Sequence, residues 1–297
     1  MKVNGVLNLY KPVGMTSHTA ISIAKRLLGA EKAGHCGTLD PNASGVLPAM
    51  FGSSVKLSEY LTDHDKRYTA ELIIGYSTDT GDVTGTKTNE SDVFPSFDEI
   101  KAAASSFVGG YDQIPPMYSS LKVNGVKLVN AARKGVEIER AARHIDIYSI
   151  DVFEKENRIY LSVECSRGTY IRTLCEDIAK KAGTLGCMGS LERSRVGTFD
   201  IASSVTLDML ENTEEQKRKD FLIPTEEILS SLPSVTLAAF FENLIRNGCA
   251  VDVKKLGLGN AVIGEEYRIY GKDGFFATGE ITENDGVITL KHKKIFI

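Results

Sequence analysis

Short runs in which every second residue is apolar recur along this chain, and they constrain its fold more than any other feature. From Arg158 to Cys165 the apolar side is Ile159, Leu161, Val163 and Cys165; from Tyr68 to Gly75 it is Tyr68, Ala70, Leu72 and Ile74. Successive side chains of a strand point to opposite faces, so each run predicts a strand with one buried face. Asn124-Gly125, between Leu121 and Leu128, is a strong hairpin signal, because both residues tolerate the positive φ of a tight turn. Helical spacing is sparser. A helix is expected over Thr19 to Leu28, capped by Ser17, stopped by Gly29 and apolar along Ala20, Ile23, Ala24 and Leu27. A second follows from the Ser96/Glu99 capping box over Asp98 to Val108, and a third spans Ile171 to Ala182, closed by Gly183. Many strands with few helices predict an α+β fold on a mixed, largely antiparallel sheet.

A boundary is expected between about Ala202 and Pro233, where the charged stretch Glu211 to Asp220 leads into Pro224 and Pro233. Beyond it lie a short helix around Leu237 to Arg246 and strands over Val262 to Tyr270, Phe275 to Ile281 and Val287 to Lys291. The expected organisation is a main domain over 1–230 and a small β-rich C-terminal domain over 234–297. At 42% hydrophobic and 25% charged residues, the chain has the balance of a soluble globular protein. No apolar run approaches the roughly 20 residues that span a bilayer, and Met1 to Lys11 lacks the apolar core of a signal peptide. The five cysteines are odd in number and form no Cys-x-x-Cys pair, so neither zinc nor a disulfide framework is expected and a reducing cytoplasm fits.

Gly34-His35-Cys36-Gly37-Thr38-Leu39-Asp40-Pro41 and its continuation to Pro48 form the densest functional-looking stretch, expected as a structured loop. On local chemistry alone, Asp40 before Pro41 fits a turn better than a catalyst. His35 and Asp40 lack a third ligand at metal spacing. Cys36 lacks an evident base, and buried thiols commonly serve as core filler.

The stretch nevertheless resembles the catalytic loop of the bacterial tRNA uridine-55 pseudouridine synthase (TruB) family, and further blocks resemble that family in the same order. They are Leu9-Tyr10-Lys11-Pro12-Val13-Gly14, Lys66-Arg67-Tyr68 through Gly75 with Thr78-Asp79-Thr80-Gly81-Asp82, Gln113 to Gly125, Cys165 to Leu174, and Leu191-Glu192-Arg193-Ser194 with Val196 to Phe199. The resemblance covers roughly residues 3 to 200. Three departures stand out: Tyr10 where the family usually has Asp, Val129 where it usually has Tyr, and Glu192 where Arg is common.

The resemblance implies a cofactor-free, metal-free isomerase. A pseudouridine synthase breaks a C–N glycosidic bond and rejoins the uracil through carbon, with no redox step, so a carboxylate can serve as its centre. By resemblance Asp40 is that nucleophile or charge stabiliser, and Arg172 is the partner whose planar fork holds it in two-point geometry. Burial raises a carboxyl pKa and a nearby Arg lowers it again. Tyr68 would stack on the flipped uracil and move a proton. Tyr170 and Leu191 would line the pocket, His35 would wedge into the RNA loop, and Lys11 would belong to the substrate-binding set. Tyr68, Tyr170 and Leu191 also fit ordinary core positions.

The net charge of −4 and pI of about 5.8 argue mildly against RNA, since phosphate contacts need Lys and Arg. Local charge answers the objection: from Lys122 to Arg143, Lys122, Lys127, Arg133, Lys134, Arg140 and Arg143 stand against Glu137 and Glu139. By resemblance the segment 122–143 is an RNA-clamping thumb, and the C-terminal module is PUA-like. The expected partner is the T stem-loop of tRNA, bound by a stand-alone monomer without guide RNA, partner protein or membrane. A tRNA-folding chaperone role on the same scaffold and a guide-dependent synthase are the competing readings.

Overall fold

The alternating runs become neighbouring strands of one sheet. The computed structural model describes residues 3–62, 64–284 and 286–296. The chain begins with β1 (Gly5–Lys11), α1 (Ser17–Leu28), β2 (Ala33–His35) and β3 (Ala43–Phe51). It continues through α2 (Ser58–Thr62), β4 (Lys66–Ile74) and the hairpin β5 (Tyr76–Thr78) with β6 (Lys87–Glu90). Next come α3 (Phe97–Ser105), β7 (Gly109–Gln113), β8 (Lys122–Val123), β9 (Val126–Lys127) and α4 (Leu128–Ala132). β10 (Arg143–Lys155), β11 (Arg158–Cys165), α5 (Ile171–Lys181), β12 (Gly186–Val196) and β13 (Phe199–Asp200) complete the first sheet region.

Among the described residues this first sheet has nine strands, with the path β1-β3-β12-β4-β11-β10-β7 and with β2 and β13 flanking β3 and β12. Only β12 with β3 is parallel among its pairs, so the sheet is mixed and largely antiparallel, as expected. α5 lies on it, burying Ile171, Leu174, Cys175 and Ile178. Each such apolar side chain contributes about 1.5–3 kcal/mol when removed from water. The hairpin at Asn124-Gly125 forms with φ of 50° and 81°, and the Ser96/Glu99 capping box closes the start of α3.

Two local expectations change. α1 is capped by Thr16, whose side chain accepts from the Thr19 amide. Ser17 is instead buried inside the helix, because its hydroxyl exchanges hydrogen bonds of 2.9 Å with Leu39 N and O. The stretch Gly34 to Pro48 is loop only in part, since Ala43 onward enters β3, whose residues are all buried. Within the region Ala202 to Pro233, α6 (Leu207–Asn212) buries Leu207 and Leu210 in the main core, and Ile223 pairs with Val6 before α7 (Thr225–Ile228).

The C-terminal region holds β14 (Ser234–Thr236), α8 (Ala239–Arg246), β15 (Val251–Asp252), β16 (Glu266–Gly271), β17 (Gly274–Asn284) and β18 (Val287–Ile295). Its five strands, ordered β14-β16-β17-β18-β15, pack around Ile245, Ile269, Phe276, Ile281 and Leu290. Phe296 inserts among Val46, Met50, Leu57 and Leu61 of the first region, and Lys294 pairs with Glu59 at 2.8 Å. An apolar plug and charged contacts therefore seat the small sheet on the large one.

Candidate active site

The loop between β2 and β3 carries Asp40, and four groups hold it. Ser17 grips Leu39 as above, and Gly14 N donates to Pro41 O at 2.8 Å. The fully buried Lys11 donates from Nζ to the carbonyls of Pro12 (2.9 Å), Met15 (2.8 Å) and Pro41 (3.4 Å). Arg193, 1% exposed, donates from Nη2 to Gly37 O and from Nε to Val46 O, each at 2.8 Å. Carbonyl-rich loops are stable inside a protein only when donors of this kind reach them.

Asp40 faces a cavity of about 300 Å³ whose wall includes Tyr68, Tyr118, Lys127, Val129, Tyr170, Arg172 and Leu191. That volume lies at the lower end of small-molecule sites and admits a nucleoside. Arg172 projects from the first turn of α5 and contacts Asp40 Oδ2 through Nε at 3.1 Å. The contact is single, not the expected two-point fork, because Nη1 donates to Thr80 O (2.8 Å) and Nη2 to Tyr118 O (2.7 Å). Gln113 fixes the start of α5 by bracketing Tyr170: its Oε1 accepts from Tyr170 N at 2.8 Å and its Nε2 donates to Tyr170 O at 3.1 Å.

Burial raises the Asp40 carboxyl above the ordinary carboxylate range; Arg172 opposes this most, Asp82 adds to it and Lys11 opposes it. The side chain keeps 37% of its surface accessible at the cavity wall, yet it lies deep in the fold, and depth governs the sign. Tyr68 is 7% exposed, and burial raises its phenol, with Arg193 the chief opposing charge. Burial pulls the Lys11 ammonium down to about 8, with Asp40 opposing.

Asp40, Tyr68, Tyr170, Arg172 and Leu191 thus converge on one cavity, while two other expected residues lie elsewhere. Lys11 sits behind the loop with its ammonium committed to carbonyls, so it supports Asp40 from outside the cavity wall. His35 ends β2, also off that wall; its Nδ1 is buried without a hydrogen-bond partner among the described residues, and burial, with Arg193 and His18 beside it, lowers its pKa. Two groups had no role assigned from sequence. Asp82, 4% exposed, accepts at Oδ1 from Thr84 N (2.9 Å) and from the hydroxyls of Thr80 (3.0 Å) and Thr84 (2.5 Å), shaping the turn whose Thr80 carbonyl holds Arg172. Arg193 is the other. Both stood in the recognisable blocks, but nothing in their local pattern marks them as buried charges.

Residues 25–171 match the model of the TruB family pseudouridylate synthase N-terminal domain, and residues 172–230 match the tRNA pseudouridylate synthase B C-terminal domain. The tRNA pseudouridine synthase B of Alkaliphilus oremlandii (strain OhILAs) is 40% identical over 285 residues, which cover 95% of each chain. The chain belongs to the TruB family of pseudouridine synthases. The tRNA pseudouridine synthase B of Neisseria meningitidis serogroup B (strain ATCC BAA-335 / MC58) is 44% identical over 249 residues, 83% of this chain and 80% of that one. A chain in the crystal structure of a Cbf5-Nop10-Gar1 complex superposes with a TM-score of 0.70 and 27% identity, covering 99% of this chain and 85% of that one.

The division between the two matched TruB segments falls at the start of α5, inside the nine-stranded sheet. Asp40 from the first segment therefore meets Arg172 from the second. Two of the three departures from the TruB pattern explain each other. Tyr10 on β1 donates to Glu192 on β12 at 3.0 Å, across β3, so a phenol–carboxylate hydrogen bond joins the two positions. The third, Val129, lies in the cavity wall and offers a smaller side chain than tyrosine there.

Proposed function

We propose that this chain isomerises uridine-55 in the T loop of tRNA to pseudouridine. The observation that carries the reading is the Asp40 carboxylate, held by Arg172 at 3.1 Å, on a cavity wall shared with Tyr68. A uridine in a folded loop must leave its stack to reach such a cavity, at a cost of a few kcal/mol that stacking and edge contacts offset. Tyr68 and Leu191 supply the faces between which a uracil ring fits. Asp40 acts as nucleophile or charge stabiliser as the C1′–N1 bond breaks. The freed uracil turns and bonds C1′ through C5; C5 then gives up its proton, by way of Tyr68, and N1 gains one. The product is an isomer of the substrate, so no oxidant or cofactor enters the balance.

The exposed Lys122, Lys127, Arg133, Lys134 and Arg143 of the thumb provide phosphate contacts beside the cavity mouth, and Lys127 also lines the cavity. RNA loops of this kind are read by shape, stacking and backbone contact. The C-terminal sheet, read as a PUA-like module, is the second expected RNA contact.

The test is to incubate purified protein with unmodified tRNA transcript, with no guide RNA or second protein, and to map pseudouridine by nucleotide. Product at position 55 alone is expected. The Asp40→Asn variant should bind tRNA and form none; turnover by that variant would refute the role of Asp40. A tRNA-folding role rests on thumb contacts outside the cavity, and it requires that Asp40→Asn still promote tRNA folding.

A further inference from the structure

Arg193 is among the largest fully buried side chains of the molecule, and no carboxylate pairs with it among the described residues. A buried guanidinium without a counter-ion is costly, and an apolar side chain of similar volume would usually serve stability as well or better. Its surroundings show what the charge reaches. Arg193 lies on β12 between Gly45 of β3 and Tyr68 of β4. Its donors hold both ends of the Asp40 loop, at Gly37 and Val46. The packing is close: a Cβ on Gly45 would lie 2.2 Å from Arg193 O, which requires glycine there, and one on Gly37 would lie 3.1 Å from Arg193 Nη1. Arg193 and Tyr68 are direct register partners across β12 and β4, and the guanidinium charge beside the phenol counters the effect of burial. The other charged or titratable groups facing that hydroxyl are Cys165 on β11 and Asp40, both of which disfavour a phenolate.

We propose that Arg193 is the positioning residue that makes Tyr68 a competent proton acceptor, holding its oxygen in place and stabilising its anionic form while clamping the Asp40 loop beside it. The inference rests on the reading above, in which Tyr68 takes the C5 proton. In that step the C5–H bond breaks and its electron pair restores the ring double bond. Tyr68, a phenol at rest, first releases its proton to solvent; the C5 proton then moves to the phenolate oxygen and restores the phenol, while N1 takes a proton from solvent. Arginine has only donors, so its contact with Tyr68 leaves the phenolic oxygen as acceptor. Lysine at 193 would keep the charge but lose the fork that reaches Gly37 and Val46 at once and so fixes the charge beside Tyr68.

The experiment compares Arg193→Lys and Arg193→Gln with the parent in single-turnover assays. Substrates are tRNA transcripts carrying uridine or 5-deuterated uridine, with tRNA affinity and melting temperature measured alongside. Arg193→Lys should slow the reaction about 10-fold and Arg193→Gln on the order of 100-fold, as for loss of one preorganised electrostatic contact. Affinity should be unchanged, and the deuterium isotope effect should rise in both variants because C5–H cleavage becomes limiting. In a Tyr68→Phe background, Arg193→Lys should slow the reaction by a smaller factor than in the parent, because only the clamp on the Asp40 loop is then left to lose. Parental rates, an unaltered isotope effect, or losses that only follow affinity or melting temperature would overturn the inference. If Arg193→Gln does not fold, Arg193→Lys decides alone. Asp40→Asn run in parallel separates the two levels: an inactive Asp40→Asn beside a fully active Arg193→Lys sinks only the role of Arg193, whereas an active Asp40→Asn sinks the reading beneath it.

Discussion

Arg172 reaches Asp40 through Nε alone, because the chain carbonyls of Thr80 and Tyr118 take its two terminal nitrogens. One side chain therefore ties the Asp40 loop, the turn before β6 and the segment leading into the thumb to the start of α5. Arg172→Lys keeps the charge but cannot make three divergent contacts. The expected result is a single-turnover rate lower by on the order of 100- to 1000-fold, with tRNA affinity little changed. An equal loss in affinity and rate would instead make Arg172 a binding residue.

Burial raises the Asp40 carboxyl above its ordinary value, and on the proposed role of its anion activity should be lost as pH falls through that raised value. Asp82 is a like charge that pushes the value up. Asp82→Asn keeps an acceptor for Thr84 N and the two threonine hydroxyls while removing the charge. The acid limb of the pH–rate profile should then move to lower pH. A limb that stays in place would mean that Asp82 acts only through the shape of its turn.

Glu176 follows Arg172 by one turn of α5; burial first, and then Asp177, raise its carboxyl to about 7, with Arg172 opposing. The folded state holds this proton more tightly than the unfolded chain does. Folding stability should fall as pH rises from the ordinary glutamate value of 4.5 to about 7, and the penalty stays in full above that. Glu176→Gln removes the penalty. It should raise stability at pH 8 by about 1 kcal/mol, allowing for solvent screening of a partly exposed group, and have little effect near pH 4. Urea midpoints at the two pH values measure the difference; equal shifts at both would exclude the titration.

Gly45 and Gly29 both have positive φ, of 107° and 66°, but only Gly45 is crowded, by the backbone of Arg193. Gly29→Ala should cost about 1 kcal/mol, from backbone conformation alone. Gly45→Ala must push β3 from β12 and should destabilise by more than about 3 kcal/mol, as a forced opening of a packed core. Thermal melts of the two variants would rank them; similar losses would show that β3 and β12 can separate cheaply.

Much of the fold was legible because it depends on local chemistry. Tyr68 to Gly75 and Arg158 to Cys165 alternate, Asn124-Gly125 takes the positive φ values of a tight turn, and Glu99 closes on Ser96. Each is decided within a few residues, by side-chain direction, backbone sterics or a nearby orphan amide. The Asp40 loop and its arginine were legible only through the resemblance, since Asp-Pro by itself reads as a turn. Thr16 displaced Ser17 as the cap of α1 because a distant backbone, that of Leu39, claimed the serine hydroxyl.

The sequence by itself determined which segments are strands and helices, where the chain turns, and which loop holds the acid. The tertiary structure decided which charges meet. Asp40 and Arg172, Arg193 and Gly37, and Tyr10 and Glu192 lie 132, 156 and 182 residues apart in the chain. Their contacts exist because β12 inserts between β3 and β4, in a register that brings Arg193 opposite both Gly45 and Tyr68. Strand order and register are global outcomes of burying apolar faces together. No local pattern carries them, so the spent donors of Arg172, the withdrawal of Lys11 and His35 from the cavity wall and the buried charge of Arg193 emerge only when the sheet is assembled.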